Sequence, residues 1–201
     1  MSSSNSADQR GQTTRLVHRL RAGDPAARGG LIDHAQRRFH RLASRMLSTY
    51  PGVKRWVETD DVLQSAVARL FRALQSVAVE SSAHFHRLAA LQIRRELLDL
   101  VKRYTGPEGL GGNHHTNGRS PDDPEGPLAL AAGGPASPGE WVETLEEVAA
   151  LPEQEREVVD LLFFDGLSRS EVAALLGVCE KTVGRRLRSA RRILGKALGS
   201  G

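Results

Sequence analysis

Residues 105–140 place 15 Gly or Pro among 36 positions, with no periodic apolar pattern. Such a stretch cannot bury enough apolar surface to offset the entropy of ordering its backbone. It therefore divides the chain, and any packed core must be assembled from residues on either side of it. The composition predicts a flexible linker with a root-mean-square reach of about 30–36 Å by coil statistics. His114 and His115 lie inside it, but adjacent histidines rarely point at one ion. The chain has one Cys, Cys179, so neither a disulfide framework nor a Cys-rich metal site can form within it. No cofactor and no metal are expected.

Both flanks carry helical patterns. Leu16, Val17 and Leu20 form a short amphipathic segment, and residues 1–13 before it read as a disordered tail. Asp24 is an N-cap candidate with Pro25 at the first helical position, opening a helix toward Leu47. From Thr59 or Asp60, the positions Val62, Leu63, Ala66, Val67, Leu70, Phe71 and Leu74 recur at helical spacing. A fourth helix, about Ala83 to Arg103, sets Leu88, Leu91, Leu98 and Val101 among basic residues. No run alternates as a strand would. The expected fold is all-α: about four helices in 14–104 and a second helical unit in 141–201.

The C-terminal unit has sharper punctuation. Pro152 marks a helix start, and Asp165-Gly166 a stop. Ser168 with Glu171 three residues later is a capping box, opening a short helix that Gly177 ends. A last helix from about Glu180 to Leu198 repeats Val183, Leu187, Ala190, Leu194 and Ala197 on one face. A capped helix, a Gly turn and a longer basic helix make a helix-turn-helix, whose second helix can enter a major groove. Cys179 stands at the N-cap position of that helix as a substitute cap. Opposite the apolar stripe, Lys181, Arg185, Arg188 and Arg192 form a cationic edge, with Thr182 and Arg186 beside it. These six are the candidate DNA contacts: Arg can bond two acceptors of a guanine, and Lys meets phosphates.

Charge resolved along the chain points the same way. Residues 14–104 hold 17 Lys or Arg against 8 Asp or Glu, residues 105–150 hold 1 against 8, and residues 151–201 hold 9 against 7. Two basic segments flank an acidic connector, an arrangement suited to a polyanionic partner. The opening MSSSNSADQRGQTT lacks the apolar core of a secretory signal. No apolar run approaches the ~20 residues of a membrane span. A cytoplasmic location without membrane insertion is expected.

Taken together, these segments resemble bacterial RNA polymerase sigma factors of the extracytoplasmic-function (ECF) type, in the sigma-70 family. LPEQEREVVDLLFFDGLSRSEVAALLGVCEKTVGRRLRSARRIL resembles the family's region 4, which binds the −35 element. RAGDPAAR resembles the opening of its first conserved helix, DDVLQSAVARLFRAL the segment that docks on polymerase, and FHRLAALQIRRELLDLVKRY the segment that opens and reads the −10 element. The resemblance implies region 2 over 14–104, the linker over 105–140 and region 4 over 141–201. It implies that Asp61 and Gln64 dock on core polymerase, and that His84, Arg87, Arg94, Arg95, Lys102 and Arg103 serve the −10 region. The loop at about Gln75–Ser82 resembles the one that captures a flipped base. The implied partners are core RNA polymerase, through its β′ clamp helices and β flap, promoter DNA and, as is common among small sigma factors, an anti-sigma factor.

The sequence departs from the family in having few aromatics in the melting segment, Arg94-Arg95-Glu96 where an Arg-Asn pair is frequent, and a long acidic linker. The implied function is promoter-specific initiation, with no catalysis of its own. A helix-turn-helix repressor or activator with an N-terminal sensing or dimerisation domain explains the C-terminal helices equally well. It gives no reason for an N-terminal half with a charge of +9 (17 − 8). A DNA-processing enzyme is weaker still, since no nucleophile–base pair stands out and Asp60–Asp61 is the sole carboxylate pair of the basic segment.

Overall fold

The computed structural model describes residues 2–49, 59–105 and 138–199. The greater part of the linker, 106–137, lies outside the described residues. Eight α-helices and one π-helical turn, with no strand, occur among the described residues. They are α1 (Ser2–Arg21), α2 (Ala26–Thr49), α3 (Thr59–Ser76), α4 (Ser82–Thr105), α5 (Pro138–Ala150), α6 (Glu153–Val159), the π turn (Asp160–Phe164), α7 (Arg169–Leu176) and α8 (Glu180–Leu198). The all-α reading holds, the helices after Asp24 and Ser168 begin where their caps predict, and α3 begins at Thr59 as its apolar spacing predicts.

Two boundaries differ: α5 begins at Pro138, inside the stretch expected as linker, and α1 begins before Thr14. Residues expected in a disordered tail belong to α1, which runs from Ser2. Thr13, Leu16 and Val17 are buried, and Thr13 Oγ1 lies 3.3 Å from His34 Nε2 on α2. A polar side chain with a partner only in the fold leaves no mark in local apolar spacing. Gly30 lets the two helices approach closely: a Cβ there would meet Leu16 Cδ2 at 2.8 Å. Asp24 caps α2, accepting from Ala26 N–H at 2.9 Å, while Arg19 Nε donates to its other oxygen at 2.8 Å.

The N-terminal helices pack α1 on α2, α2 on α3 and α3 on α4. Phe39, Leu31, Ala66, Leu70, Phe85 and Ile93 fill their centre, each 1% exposed or less. Arg69 ties α3 to α4, donating to Glu96 at 2.5 Å and to Asp99. On the other side of the linker, α6 and α7 pack on α8, and Leu145, Val158, Val172, Val183 and Leu194 are fully buried.

The halves are not held apart in this structure. α4 packs against α5 and the π turn, and the buried apolar residues of both halves form one continuous core. α5 explains part of this: its Trp141, Leu145 and Val148 are buried, and α4 is one of the surfaces against it.

The stop after α6 is a widened turn rather than a plain end. Asp165 N–H donates to Asp160 O at 3.0 Å, an i→i+5 bond. The extra residue in that turn brings Asp160 and Asp165 into successive turns, and both are buried. Gly166 follows with φ +70°, a left-handed conformation that a Cβ would strain. Ser168 then caps α7: its Oγ accepts from Glu171 N–H at 3.3 Å, and Glu171 Oε2 accepts from Ser168 N–H at 2.8 Å. Replacing Ser168 with Ala should cost about 1 kcal/mol. The urea midpoint should fall at unchanged m-value.

Candidate nucleic-acid interface

The helix-turn-helix is assembled by local chemistry. Gly177 adopts φ +66° at the end of α7, and its N–H and that of Val178 both reach Ala173 O. The reversal brings Val172 and Val183 into the same core, both fully buried, with Leu176 half-buried beside them. Leu187, Ala190 and Leu194 continue the buried stripe of α8, while Ala197 is exposed.

The opposite edge meets solvent. Lys181, Arg185, Arg188 and Arg192 are exposed, at the 4, 3 and 4 spacing read from the sequence. Thr182 and Arg186 are half-buried at its margin. Cys179 is the N-cap by position, but its side chain makes no cap bond. Its exposed sulfur lies 3.3 Å from Thr182 Oγ1, and that hydroxyl draws the thiol pKa below its ordinary value. An exposed row of guanidinium groups at the start of a rigid helix can reach base edges and phosphates of duplex DNA.

The fourth helix divides its candidates. Ser81 Oγ accepts from His84 N–H at 3.1 Å, and half-buried His84 takes Glu80 N–H on Nδ1 at 3.4 Å. Arg95 and Arg103 are exposed. Arg87, exposed, pairs with Glu157, and Lys102 lies 2.6 Å from Glu146. Arg94 departs from the expected cationic surface. It is buried, and its guanidinium grips Asp160 at 2.9 and 3.5 Å. Phe85 is fully buried and belongs to the core rather than to a stacking surface.

Sequence reasoning missed a buried polar cluster where α2, α4 and the C-terminal half meet. His86 Nδ1 lies 2.7 Å from Asp165 Oδ2, with both side chains 1% exposed. Arg38 Nη1 donates to Asp165 O at 3.2 Å and lies 3.6 Å from Oδ2, while Nη2 is 4.0 Å from Glu171 Oε1. Burial alone would raise the Asp165 pKa, but His86 and Arg38 hold it below its ordinary value. Asp160 goes the other way: burial pushes it from 3.8 up to about 6 despite Arg94. His34 stands edge-on to His86, ring centres 6.0 Å apart. Burial, with Arg38 and His86 nearby, lowers its pKa from 6.5 to about 4. His86 lies 48 residues from Arg38 and 79 from Asp165, so local spacing gives no signal of the cluster.

α3 presents a different surface. Gln64 is exposed; the Asp61 side chain lies outside the described residues. Phe71, expected in the core, is 42% exposed and lies seven residues, two turns, from Gln64 on the same face. Among the described residues, no His, Cys, Asp or Glu group could hold a metal ion, and no helix is long and apolar enough to cross a membrane.

Two proton-linked effects oppose each other. The unfolded chain protonates His34 near pH 6.5 but the folded chain only near 4, so His34 makes stability fall as pH drops through that window. Asp160, facing Arg94, Arg156 and Glu157, takes its proton near pH 6 when folded and near 3.8 when unfolded, so it makes stability rise over nearly the same range. Urea titrations should therefore show His34→Asn gaining stability from pH 6.5 to 4.5 and Asp160→Asn losing it, with the parent chain flatter than either.

A family model described as ECF sigma factor matches residues 10–200 of the chain. No curated protein matches it.

Proposed function

The chain belongs to the ECF sigma factor family and directs transcription initiation, with core RNA polymerase and promoter DNA as partners; from that premise we propose how its residues divide the task. Residues 14–104 act as region 2, 105–140 as the linker and 141–201 as region 4. Region 4 grips the −35 duplex through α8. Lys181, Arg185, Arg188 and Arg192 contact bases and phosphates, and Thr182 and Arg186 support them at the groove margin. The exposed cationic edge of α8, behind a capped helix and a left-handed Gly turn, carries this reading.

Region 2 docks on the β′ clamp helices through α3. Asp61 and Gln64 supply polar contacts, and exposed Phe71 on the Gln64 face is the apolar anchor that such an interface needs at its centre. The β flap receives region 4. α4 serves the −10 element: His84, Arg95 and Arg103 from its surface, and Arg87, Arg94 and Lys102 once their acidic partners are exchanged for phosphates. Small polar residues of the preceding loop, near Gln75–Ser82, hold a flipped base. The factor has no catalysis of its own and works in the cytoplasm. An anti-sigma protein is a further partner of the type that occludes such surfaces.

Run-off transcription with purified core polymerase on genomic fragments tests the whole reading and identifies the promoters. No specific transcripts above core polymerase alone would refute it. On a promoter so found, Arg185→Ala should cost ~1–3 kcal/mol in binding and relax preference at one −35 position. A uniform loss across sequences would assign Arg185 to phosphate instead. The pair Asp61→Ala with Gln64→Ala, and separately Phe71→Ala, should weaken core polymerase binding in a pull-down. Duplex DNA affinity of the chain should stay unchanged.

A further inference from the structure

The C-terminal half has two electrical faces. Residues 138–167 hold nine Asp or Glu and one Arg, whereas residues 168–199 hold eight Lys or Arg and two Glu. The acidic part comprises α5, α6 and the π turn, and it is the part that packs on basic α4. The pairing is residue by residue along α4: Arg87 with Glu157, Arg94 with Asp160, Lys102 with Glu146. These contacts are spread over 15 residues, four turns of helix. The basic edge of α8 remains exposed.

We propose that the acidic face of region 4 occupies the −10-reading strip of α4 in place of DNA, so that the free factor occludes itself and opens when polymerase and promoter take over these charges. The inference rests on the assignment of α4 to the −10 element. A carboxylate seated in a guanidinium's fork takes the two-pronged face that a phosphate would use, and buried Arg94 is out of reach of any polyanion. The Glu and Asp side chains thus stand where phosphates would.

The seam has the energetics of a reversible closure. Its outer pairs are weak, because the Arg87 and Lys102 side chains are about half exposed and screened by water. Its inner groups, Arg94–Asp160 and Arg38–Asp165–His86, are removed from water, and the attraction within such pairs largely offsets their desolvation. Ion pairs of this kind fix register more than they add stability. A competitor offering anions to α4 and an apolar surface to α3 shifts the population toward the open form. Closure takes up Arg87, Arg94 and Lys102 while leaving Arg95, Arg103 and α8 exposed, so the free factor keeps duplex contacts and weakens single-strand contacts.

The test compares the full chain with the variant Glu146→Gln/Glu157→Gln/Asp160→Asn. The probe is a fluorescein-labelled, mixed-sequence single-stranded 20-mer, without polymerase. The variant should bind about 10-fold tighter, with a log–log salt slope steeper by about 2, as expected for three cations freed to meet phosphates. A control with the same charge change, Glu143→Gln/Glu153→Gln/Glu155→Gln, should gain clearly less. An equal gain in the control, or none in the variant, overturns the proposal. Small-angle scattering on the unaltered chain needs no variant. A closed chain should have a radius of gyration of roughly 17–20 Å, against roughly 25 Å for two units separated by the linker. The larger value overturns closure. Run-off transcription is read separately: failure there refutes the sigma assignment, while the DNA and scattering results still decide self-occlusion.

Discussion

A single carboxylate holds the architecture to account. Asp165 is 1% exposed, and it is ionised there only because His86 of α4 and Arg38 of α2 reach it from two other elements. Take away either partner and the buried carboxylate is left under-compensated in the interior, which costs more than the contact contributes. The widened turn at Asp160–Phe164 is what delivers the carboxylate to this place. One extra residue per turn is intrinsically unfavourable, and such turns persist where the surroundings require them. Here the requirement is visible, since the turn supplies Asp160 to Arg94 and Asp165 to His86 and Arg38.

The same turn joins two kinds of chemistry. Just after it come the Gly166 reversal and the Ser168 cap, which set the angle of α7 and so of α8. Glu171 belongs to both systems: it completes the capping box and lies within reach of Arg38. The helix that carries the exposed cationic edge is therefore braced by contacts that join the two halves.

Charge is used twice along the chain. Of the eight cations between Ser168 and Gly199, Arg169 opens α7 and seven lie on α8, where Lys181, Arg185, Arg188 and Arg192 form an exposed edge. Four acidic residues of 138–167, Glu146, Glu157, Asp160 and Asp165, instead face cations or histidine of the N-terminal half. Residues 105–150 form the acidic connector of the sequence. Four of its eight carboxylates, Glu140, Glu143, Glu146 and Glu147, belong to α5 instead.

What could be read without the fold is what depends on near neighbours in the chain. The Ser168–Glu171 box, the left-handed Gly177, the stripe of α8 and its cationic edge are all set within two turns of helix, so spacing reveals them. Membership of the ECF sigma factors was likewise legible, because it rests on ordered motifs. Phe71, Arg94, His86 and Thr13 were not. An apolar residue at helical spacing can face a core or a partner, and a basic residue among others can face solvent or a buried aspartate 66 residues away. The amino-acid sequence determined the helices, their caps and the sign of each surface, since those follow from local hydrogen bonding and side-chain period. Tertiary structure alone decided which charges meet, because burial and pairing depend on the helices that close over them.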